Sequence, residues 1–251
     1  MDKTIYLLNI GDYAPEVTAL TYPTIVEYAK KIDAEVEVIT ERKFKKWPIT
    51  YEKLQIHKLA KDRGDDWAFY IDSDTLIHPE LPDITELMTM DTVAHNAIDF
   101  APLRWKYDNY FRRDGRYIGS ANWFALASAW CLDLWRPLDD LTPEQAVANI
   151  NCTQAEKKTG MKSEHLVDDY ALSRNIARFG LKVITLTELW RRANLGSCEF
   201  FYHQYLFPIE DFEGPELDAQ GQPVLVDGKP KMTMLPGKLS QMKQTLERWG
   251  I

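Results

Sequence analysis

The sequence predicts an α/β protein with a mixed, mostly parallel sheet and helices on both of its faces. In the first half of the chain, short runs rich in apolar and β-branched residues alternate with amphipathic segments, which is the pattern of strand–helix–strand units. Two of these runs are apolar along their length, as expected for strands covered on both faces. The 251 residues are 45% hydrophobic and 27% charged, the profile of a globular domain able to bury its own core.

The first half of the chain contains three predicted strands joined by two helices. The strands cover residues 4–10, 35–40 and 67–71. Apolar residues three and four positions apart predict the first helix, with Pro23 in its first turn, where a missing N–H costs little. Thr50 is placed to cap the second helix, which is expected to end near Gly64.

The second half is predicted to complete the sheet and then to add an extension. Its predicted elements are strands at residues 92–100, 122–128 and 181–186 and a helix at 164–179. Gly180 follows this helix in the position where a left-handed residue commonly ends one. From residue 210 onward, proline and glycine increase, with a hairpin around Asp227-Gly228 and a short helix at 238–249. We therefore expect a main domain at residues 1–209 and an extension at 210–251 packed on it.

Charge and composition argue against several classes of protein. A net charge of −8 at pH 7 does not favour bulk attraction to nucleic acid or to anionic lipid. Three scattered cysteines, Cys131, Cys152 and Cys198, do not form a disulfide framework or a zinc cluster. The apolar stretches are far shorter than the roughly 20 residues of a membrane-spanning helix, and the first residues lack a signal-peptide pattern. We expect no membrane span and a cytoplasmic location.

The most informative motif is Asp72-Ser73-Asp74, directly after the predicted strand at residues 67–71. In open parallel sheets, ligands bind outside the carboxyl ends of the strands. Two carboxylates one residue apart at such an end can converge on a hard cation, Mg²⁺ or Mn²⁺, that keeps positions for phosphate oxygens. The alternative is an acidic turn that only ends the strand.

Three other features bear on function, and each has a plainer interpretation. Asp168 and Asp169 lie near the start of the helix predicted at 164–179, where carboxylates are also favoured by the helix dipole. His203 lies in a late aromatic run and is alternatively a packed core histidine. Residues 104–117 combine aromatic rings, which suit sugar faces, with arginines, which suit phosphate or carboxylate. This segment is a candidate acceptor-binding lid, and the alternatives are a site for single-stranded nucleic acid or a surface loop whose rings pack inward.

In this order, the features resemble those of GT-A-fold glycosyltransferases, which use a nucleotide-sugar donor. The resemblance covers about residues 3–206 and is carried by the first strand, the segments YIDSD, GSANWFALAS and VDDYALSRNIARFG, and the late histidine. It implies a Rossmann-type fold, a nucleotide-sugar donor with UDP as its nucleotide, and a saccharide or other hydroxyl acceptor.

Two branches of that family share features with this chain. The segment beginning Asp168-Asp169 is similar to the E-D motif of inverting enzymes, with Asp168 in place of the usual Glu. His203 and the TYEKLQIHKL segment look more like the retaining glycogenin-like and xylosyltransferase-like enzymes. The string His-x-x-Gly-x-x-Lys-Pro, which surrounds the histidine in those enzymes, is missing from the sequence.

The resemblance assigns a metal and phosphate site. Asp72 and Asp74 would hold Mn²⁺ or Mg²⁺, and His203 would complete the set of ligands. The metal would neutralise charge on the departing nucleoside diphosphate. Lys53 would support the same phosphates.

The resemblance also assigns the nucleoside and sugar contacts. Asn9, Gly11 and Tyr13, just past the first strand, are placed to meet the nucleoside, although they also suit an ordinary turn. Asp169, beside Asp168, would be the general base in an inverting enzyme or would stabilise a positively charged sugar in a retaining one. The spacing after Asp169 favours inversion.

Other functions stay open from the sequence. A haloacid-dehalogenase-like phosphatase has a D-x-D-x-T motif, but here Thr75 comes one position too early and 71 residues precede the motif. A non-catalytic carbohydrate- or nucleotide-binding module of the same fold would be expected to lack Asp74 or Asp169, and both are present. Net charge argues against a nucleic-acid acceptor, and the extension is a candidate surface for a homodimer.

Overall fold

The computed structural model describes residues 1–96, 123–152, 154–158, 160–195, 199–203, 208–227 and 229–251. The aromatic and basic segment at 104–117, the end of the strand predicted at 92–100, Cys198 and Gly228 lie outside these residues.

A six-stranded sheet forms the centre of the molecule. The first eight strands are β1 (Lys3–Leu8), β2 (Glu35–Ile39), β3 (Trp67–Ile71), β4 (Thr75–Ile77), β5 (Thr92–His95), β6 (Phe124–Ser128), β7 (Lys182–Thr185) and β8 (Phe201–His203). Six of them form the sheet in the order β2-β1-β3-β6-β5-β7, and β4 pairs separately with β8. Strand β6 runs antiparallel to both of its neighbours, while the other three pairs in the sheet are parallel. The predicted mixed, mostly parallel sheet is therefore confirmed.

Helices cover both faces of this sheet, as predicted. They are α1 (Pro15–Lys31), α2 (Ile56–Arg63), α3 (Pro143–Ala148), α4 (Gln154–Lys158), α5 (Val167–Phe179), α6 (Leu186–Arg192) and α7 (Lys238–Trp249). Helices α1 and α6 pack on the face that carries Ile5 and Phe69. Helices α2 and α5 pack on the opposite face, against Tyr6 and Tyr70. Consecutive residues of β1 and β3 thus point to opposite cores, which explains their continuous apolar sequences.

The predicted start of the first helix is wrong, because α1 begins at Pro15 and Pro23 lies inside it. Pro15 occupies the first turn, where its fixed φ suits a helix and its missing N–H has no cost. Val17 and Thr21 are buried on the same side as Ile25, so the apolar face of the helix begins two turns before the predicted start. Packing of this face supports the helix where Pro23 cannot donate a hydrogen bond.

Two other predicted helices begin as 3₁₀ turns. The first spans Ile49–Gln55 and continues into α2, so Thr50 lies inside the 3₁₀ helix and does not cap it. The second spans Ser163–Leu166 and leads into α5, which ends at the left-handed Gly180 as predicted. The 3₁₀ helices Ile84–Leu87 and Ala129–Trp135 complete the helical elements of the described residues.

The C-terminal segment forms a β-ribbon followed by α7. The ribbon consists of β9 (Phe212–Pro215), β10 (Leu225–Val226), β11 (Lys229–Pro230) and β12 (Met232–Leu235), paired as β9 with β12 and β10 with β11. Helix α7 packs on α1, with Met242 buried against Val17 and Leu76. This packing brings the first residue of α7, Lys238, to the carboxyl end of β3. No described helix combines the length and the hydropathy that crossing a membrane requires.

Candidate active site

The site lies at one edge of the sheet, where β3 ends. Strands β1, β2 and β3 are parallel, so their carboxyl ends share this edge. Asp72 continues the pairing of β3 with β6, since its backbone N–H donates to Trp123 O at 2.9 Å. The chain then turns, and the backbone N–H of Thr75 donates to Asp72 O at 3.1 Å. The turn leads into β4, which pairs with β8 so that Thr75 lies opposite His203. A residue late in the chain therefore reaches the acidic turn.

Asp72, Asp74 and His203 form a cluster in which one potential ligand atom of each lies within 4.8 Å of the others. His203 Nε2 is 3.3 Å from Asp74 Oδ1 and 3.5 Å from Asp72 Oδ2. Two ligands bound at about 2.1 Å and at right angles to one octahedral ion are about 3 Å apart, so small movements would bring these atoms onto one cation. The set combines two carboxylates with an imidazole, which suits a divalent cation such as Mn²⁺.

Each carboxylate of the cluster has one oxygen near His203 and its other oxygen near a different partner. The other oxygen of Asp72, Oδ1, accepts a hydrogen bond from the Tyr70 hydroxyl and lies 3.2 Å from Lys53 Nζ. The other oxygen of Asp74, Oδ2, lies 2.6 Å from Lys238 Nζ. These partners fix both carboxylates so that one oxygen of each is directed towards a shared point. A cation there would keep further positions for ligand oxygens.

Electrostatics keep the cluster ionised. Burial raises the pKa of Asp72, but the Lys53 ammonium and a hydrogen bond with His203 outweigh burial and lower it. Burial likewise opposes the charge on Asp74, yet His203 and Lys238 hold its pKa well below the usual range. Burial lowers the pKa of His203, and the two carboxylates more than reverse this effect and raise it to about 9. Without a cation, the imidazolium of His203 balances part of the negative charge.

Lys53 connects this cluster to the start of α5. It lies on the 3₁₀ helix Ile49–Gln55, and its Nζ is 2.6 Å from Asp168 Oδ2 and 4.5 Å from the centre of the Tyr70 ring. Burial lowers the pKa of Lys53, but Asp168 and then Asp72 raise it above its ordinary value. Lys53 is therefore a fixed positive charge between two carboxylates.

These side chains line a cleft of about 510 Å³, a volume typical of sites for small molecules. Six of the nine candidate site residues from the sequence line it, namely Tyr13, Lys53, Asp72, Asp74, Asp168 and His203. The walls also include Ile49 and Thr50 of the first 3₁₀ helix, the loop residue Met161, and His165 of the 3₁₀ helix Ser163–Leu166. The cleft is thus lined by charged groups at the end of β3 and by both apolar and polar groups from other elements.

Three other residues singled out from the sequence do not line this cleft. Asn9 borders a neighbouring cavity, and its Oδ1 accepts the backbone N–H of Tyr13 at 2.9 Å. Gly11 has a φ of 75°, so it provides the left-handed turn after β1. Asp169 is buried next to Asp168 in the first turn of α5. The roles assigned to these three residues stay predictions.

Lys238 was not identified from the sequence. It is 5% exposed and contacts Asp74 from the first turn of α7. The preceding residue, Gly237, carries the only local signal, because a Cβ there would lie 2.1 Å from the carbonyl oxygen of Glu210. Gly237 therefore permits the close approach of chain segments that brings Lys238 into the cleft.

Comparisons with known proteins do not place the chain in a family. No family model matches it, and no curated protein matches it significantly. Among solved structures, it is similar to one described as the crystal structure of a glycosyltransferase involved in the glycosylation of the major capsid of PBCV-1. The identity is 13% and the TM-score 0.42, over 81% of this chain and 93% of that chain. The function is therefore inferred from the side chains of the cleft.

Proposed function

We propose that the protein is a metal-dependent glycosyltransferase. It transfers a sugar from a nucleoside diphosphate sugar, with UDP as the first nucleotide to test, to a hydroxyl of a saccharide or other acceptor. The observation that carries this proposal is the cluster of Asp72, Asp74 and His203 between two buried lysines, Lys53 and Lys238. Such a site has ligands for a divalent cation and fixed positive charges for a diphosphate.

The cluster and the lysines have complementary roles in binding the donor. A divalent cation held by Asp72, Asp74 and His203 would neutralise charge that develops on the leaving nucleoside diphosphate. Lys238 uses one N–H to bind Asp74, so its other ammonium donors are available for phosphate oxygens. Lys53 is held by Asp72 and Asp168 and gives a second, preorganised positive charge. Charge-assisted bonds of this kind are among the strongest available to a diphosphate.

The transfer breaks the bond between the anomeric carbon and the terminal phosphate oxygen and forms a bond to the acceptor oxygen. The acceptor hydroxyl loses a proton, which an inverting enzyme passes to a carboxylate. We propose Asp169 as this general base, with Asp168 holding Lys53 in place beside it. Asp169 is buried and does not itself line the cleft, so this role requires the first turn of α5 to shift when the acceptor binds. In a retaining enzyme, the same two carboxylates would instead stabilise positive charge on the sugar.

Two variants separate the roles of these carboxylates. Asp169→Asn is expected to leave donor affinity unchanged and to reduce turnover severely, because it removes the proton acceptor and keeps the size of the side chain. Asp168→Asn is expected to weaken donor binding as well, because it releases Lys53 from its 2.6 Å contact. Titration calorimetry for the donor and release of nucleoside diphosphate for turnover distinguish the two. An unchanged rate for Asp169→Asn would make that residue a helix cap only.

The experiment that tests the proposed function is a thermal melt with UDP, GDP, CDP or AMP, each with Mn²⁺ and with EDTA. At a ligand concentration of 100 Kd, binding adds about 2.7 kcal/mol, which is about 5–11 °C for a chain of this size. We expect a shift with one diphosphate in Mn²⁺ only, and none with the monophosphate AMP. A flat response to every nucleotide, together with phosphate release from a phosphomonoester, would instead support the phosphatase.

A further inference from the structure

A cluster of positive charge lies beside the cleft, on the loop that follows β2. Residues 41–48, here called the basic loop, contain Arg42, Lys43, Lys45 and Lys46 and one acid, Glu41, in a chain whose net charge is −8. The three lysines are exposed to solvent. Lys43 pairs with Glu41 at 2.9 Å, whereas Lys45 and Lys46 have no ion pair within the part of the chain that the structure describes.

The basic loop leaves the sheet at the same edge as the candidate active site. It follows the carboxyl end of β2, which is parallel to β1, and β1 is parallel to β3. Its last residue, Pro48, directly precedes Ile49 and Thr50, which line the cleft. Because an extended chain advances at most about 3.6 Å per residue, Lys45 and Lys46 lie within about 15 Å of the cleft wall.

Internal contacts hold the basic loop in one conformation. Glu52 is fully buried, and its carboxylate accepts the backbone N–H groups of Lys43 at 2.9 Å and Phe44 at 3.0 Å. Trp47 stacks on Tyr51 with 3.8 Å between ring centres and 8° between planes. These contacts favour one conformation of the loop, which lowers the entropic cost of binding an anion.

We propose that the basic loop binds the anionic part of the acceptor, and that the acceptor is a saccharide chain carrying carboxylate or phosphate groups. This inference rests on the proposed glycosyl transfer, because the acceptor must approach the cleft along this edge. A protein with net negative charge repels polyanions over most of its surface, so a local patch of cations beside the cleft selects and orients such an acceptor.

The test uses charge reversal in two places. Lys45→Glu with Lys46→Glu changes the basic loop. The matched control is Lys30→Glu with Lys61→Glu, which makes the same change of charge at two exposed lysines in the last turns of α1 and α2. These helices run back from the carboxyl edge, so the control sites lie at the opposite edge of the sheet. Binding is measured at low salt without nucleotide, using polygalacturonate, a phosphomannan, neutral dextran and oligothymidylate as probes.

We expect the wild type to bind polygalacturonate or the phosphomannan, with the better probe identifying carboxylate or phosphate as the recognised group. The loop variant is expected to bind at least about tenfold more weakly, while the control stays within about twofold. Equal losses in both variants, equal binding of dextran, or tighter binding of oligothymidylate would overturn the inference.

The same variants separate this inference from the proposed function. Metal-dependent nucleotide binding by the loop variant is expected to equal that of the wild type, because Lys45 and Lys46 do not line the cleft. Absence of nucleotide binding in the wild type would contradict the proposed glycosyl transfer. Binding of a polyanion that depends on the basic loop would be unaffected by that result. Intact nucleotide binding without loop-dependent polyanion binding would overturn only the inference about the acceptor.

Discussion

Replacing Lys53 by methionine tests the electrostatic account of the cleft. The side chain of Lys53 is 5% exposed, and its Nζ lies 2.6 Å from Asp168 and 3.2 Å from Asp72, whose side chains are 3% and 26% exposed. Methionine keeps much of the volume of lysine and removes its charge. The variant therefore leaves two carboxylates close together with no cation between them.

The expected loss of stability follows from this geometry. Removing one partner of a buried ion pair commonly costs about 3–5 kcal/mol. Asp72 keeps its hydrogen bond from Tyr70 and its contact with His203, so the lower end of that range applies. For a chain of this length, about 3 kcal/mol corresponds to a decrease in Tm of about 6–12 °C.

The assay is a thermal melt of Lys53→Met and wild type, in EDTA and in Mn²⁺. A cation at the cluster supplies positive charge beside Asp72, so Mn²⁺ is expected to restore part of the loss. The control is Lys58→Met. The side chain of Lys58 is 79% exposed and pairs with Asp62, so the Tm of this variant is expected to change by no more than about 2 °C. If Lys53→Met is as stable as this control in EDTA, then Lys53 does not stabilise the two carboxylates.

Three further variants test separate parts of the structure. Lys238→Met is expected to weaken the binding of a nucleoside diphosphate in Mn²⁺ by about 10- to 100-fold, measured by titration calorimetry. The reason is that a charge-assisted hydrogen bond contributes about 1.5–3 kcal/mol. Unchanged affinity would show that Lys238 does not contact the donor. Met242→Ala is expected to lower the free energy of unfolding, measured in urea, by about 2–5 kcal/mol and to speed amide hydrogen exchange in α7. Unchanged exchange in α7 would contradict its packing on α1. Glu52→Gln is expected to lower the free energy of unfolding by about 1–3 kcal/mol and to speed amide hydrogen exchange in the basic loop. Unchanged protection of the loop amides would show that other contacts hold the loop.

Part of the site was predictable because it is local in sequence. Strand β3 has the predicted bounds, since a strand buried on both faces is a continuous apolar run that ends where charged residues begin. The position of Asp72 and Asp74 at the carboxyl edge follows from that boundary alone. The contact of His203 with them was suggested only by family resemblance, because it depends on pairing of β4 with β8, two strands of three residues that are far apart in the chain.

The positions of the other site residues depend on tertiary packing, so they could not be predicted from the sequence. Asp168 and Asp169 are adjacent in the first turn of α5, so they point in directions about 100° apart. The packing of Leu172 and Ile176 on the sheet decides which of the two carboxylates lines the cleft. The two adjacent aspartates alone do not reveal this choice. Lys238 reaches Asp74 only because α7 folds back onto α1, a contact for which no local periodicity exists.

The proposed function requires the cluster at the end of β3 to bind a divalent cation and a nucleoside diphosphate together. The most direct measurement is titration calorimetry with the nucleotide that gives the largest melting shift, in Mn²⁺ and in EDTA, on wild type, Asp74→Asn and the exposed control Asp62→Asn. We expect binding in Mn²⁺ to the wild type and to Asp62→Asn, and no binding in EDTA or to Asp74→Asn. Equal binding in EDTA, or to Asp74→Asn, would contradict the claim.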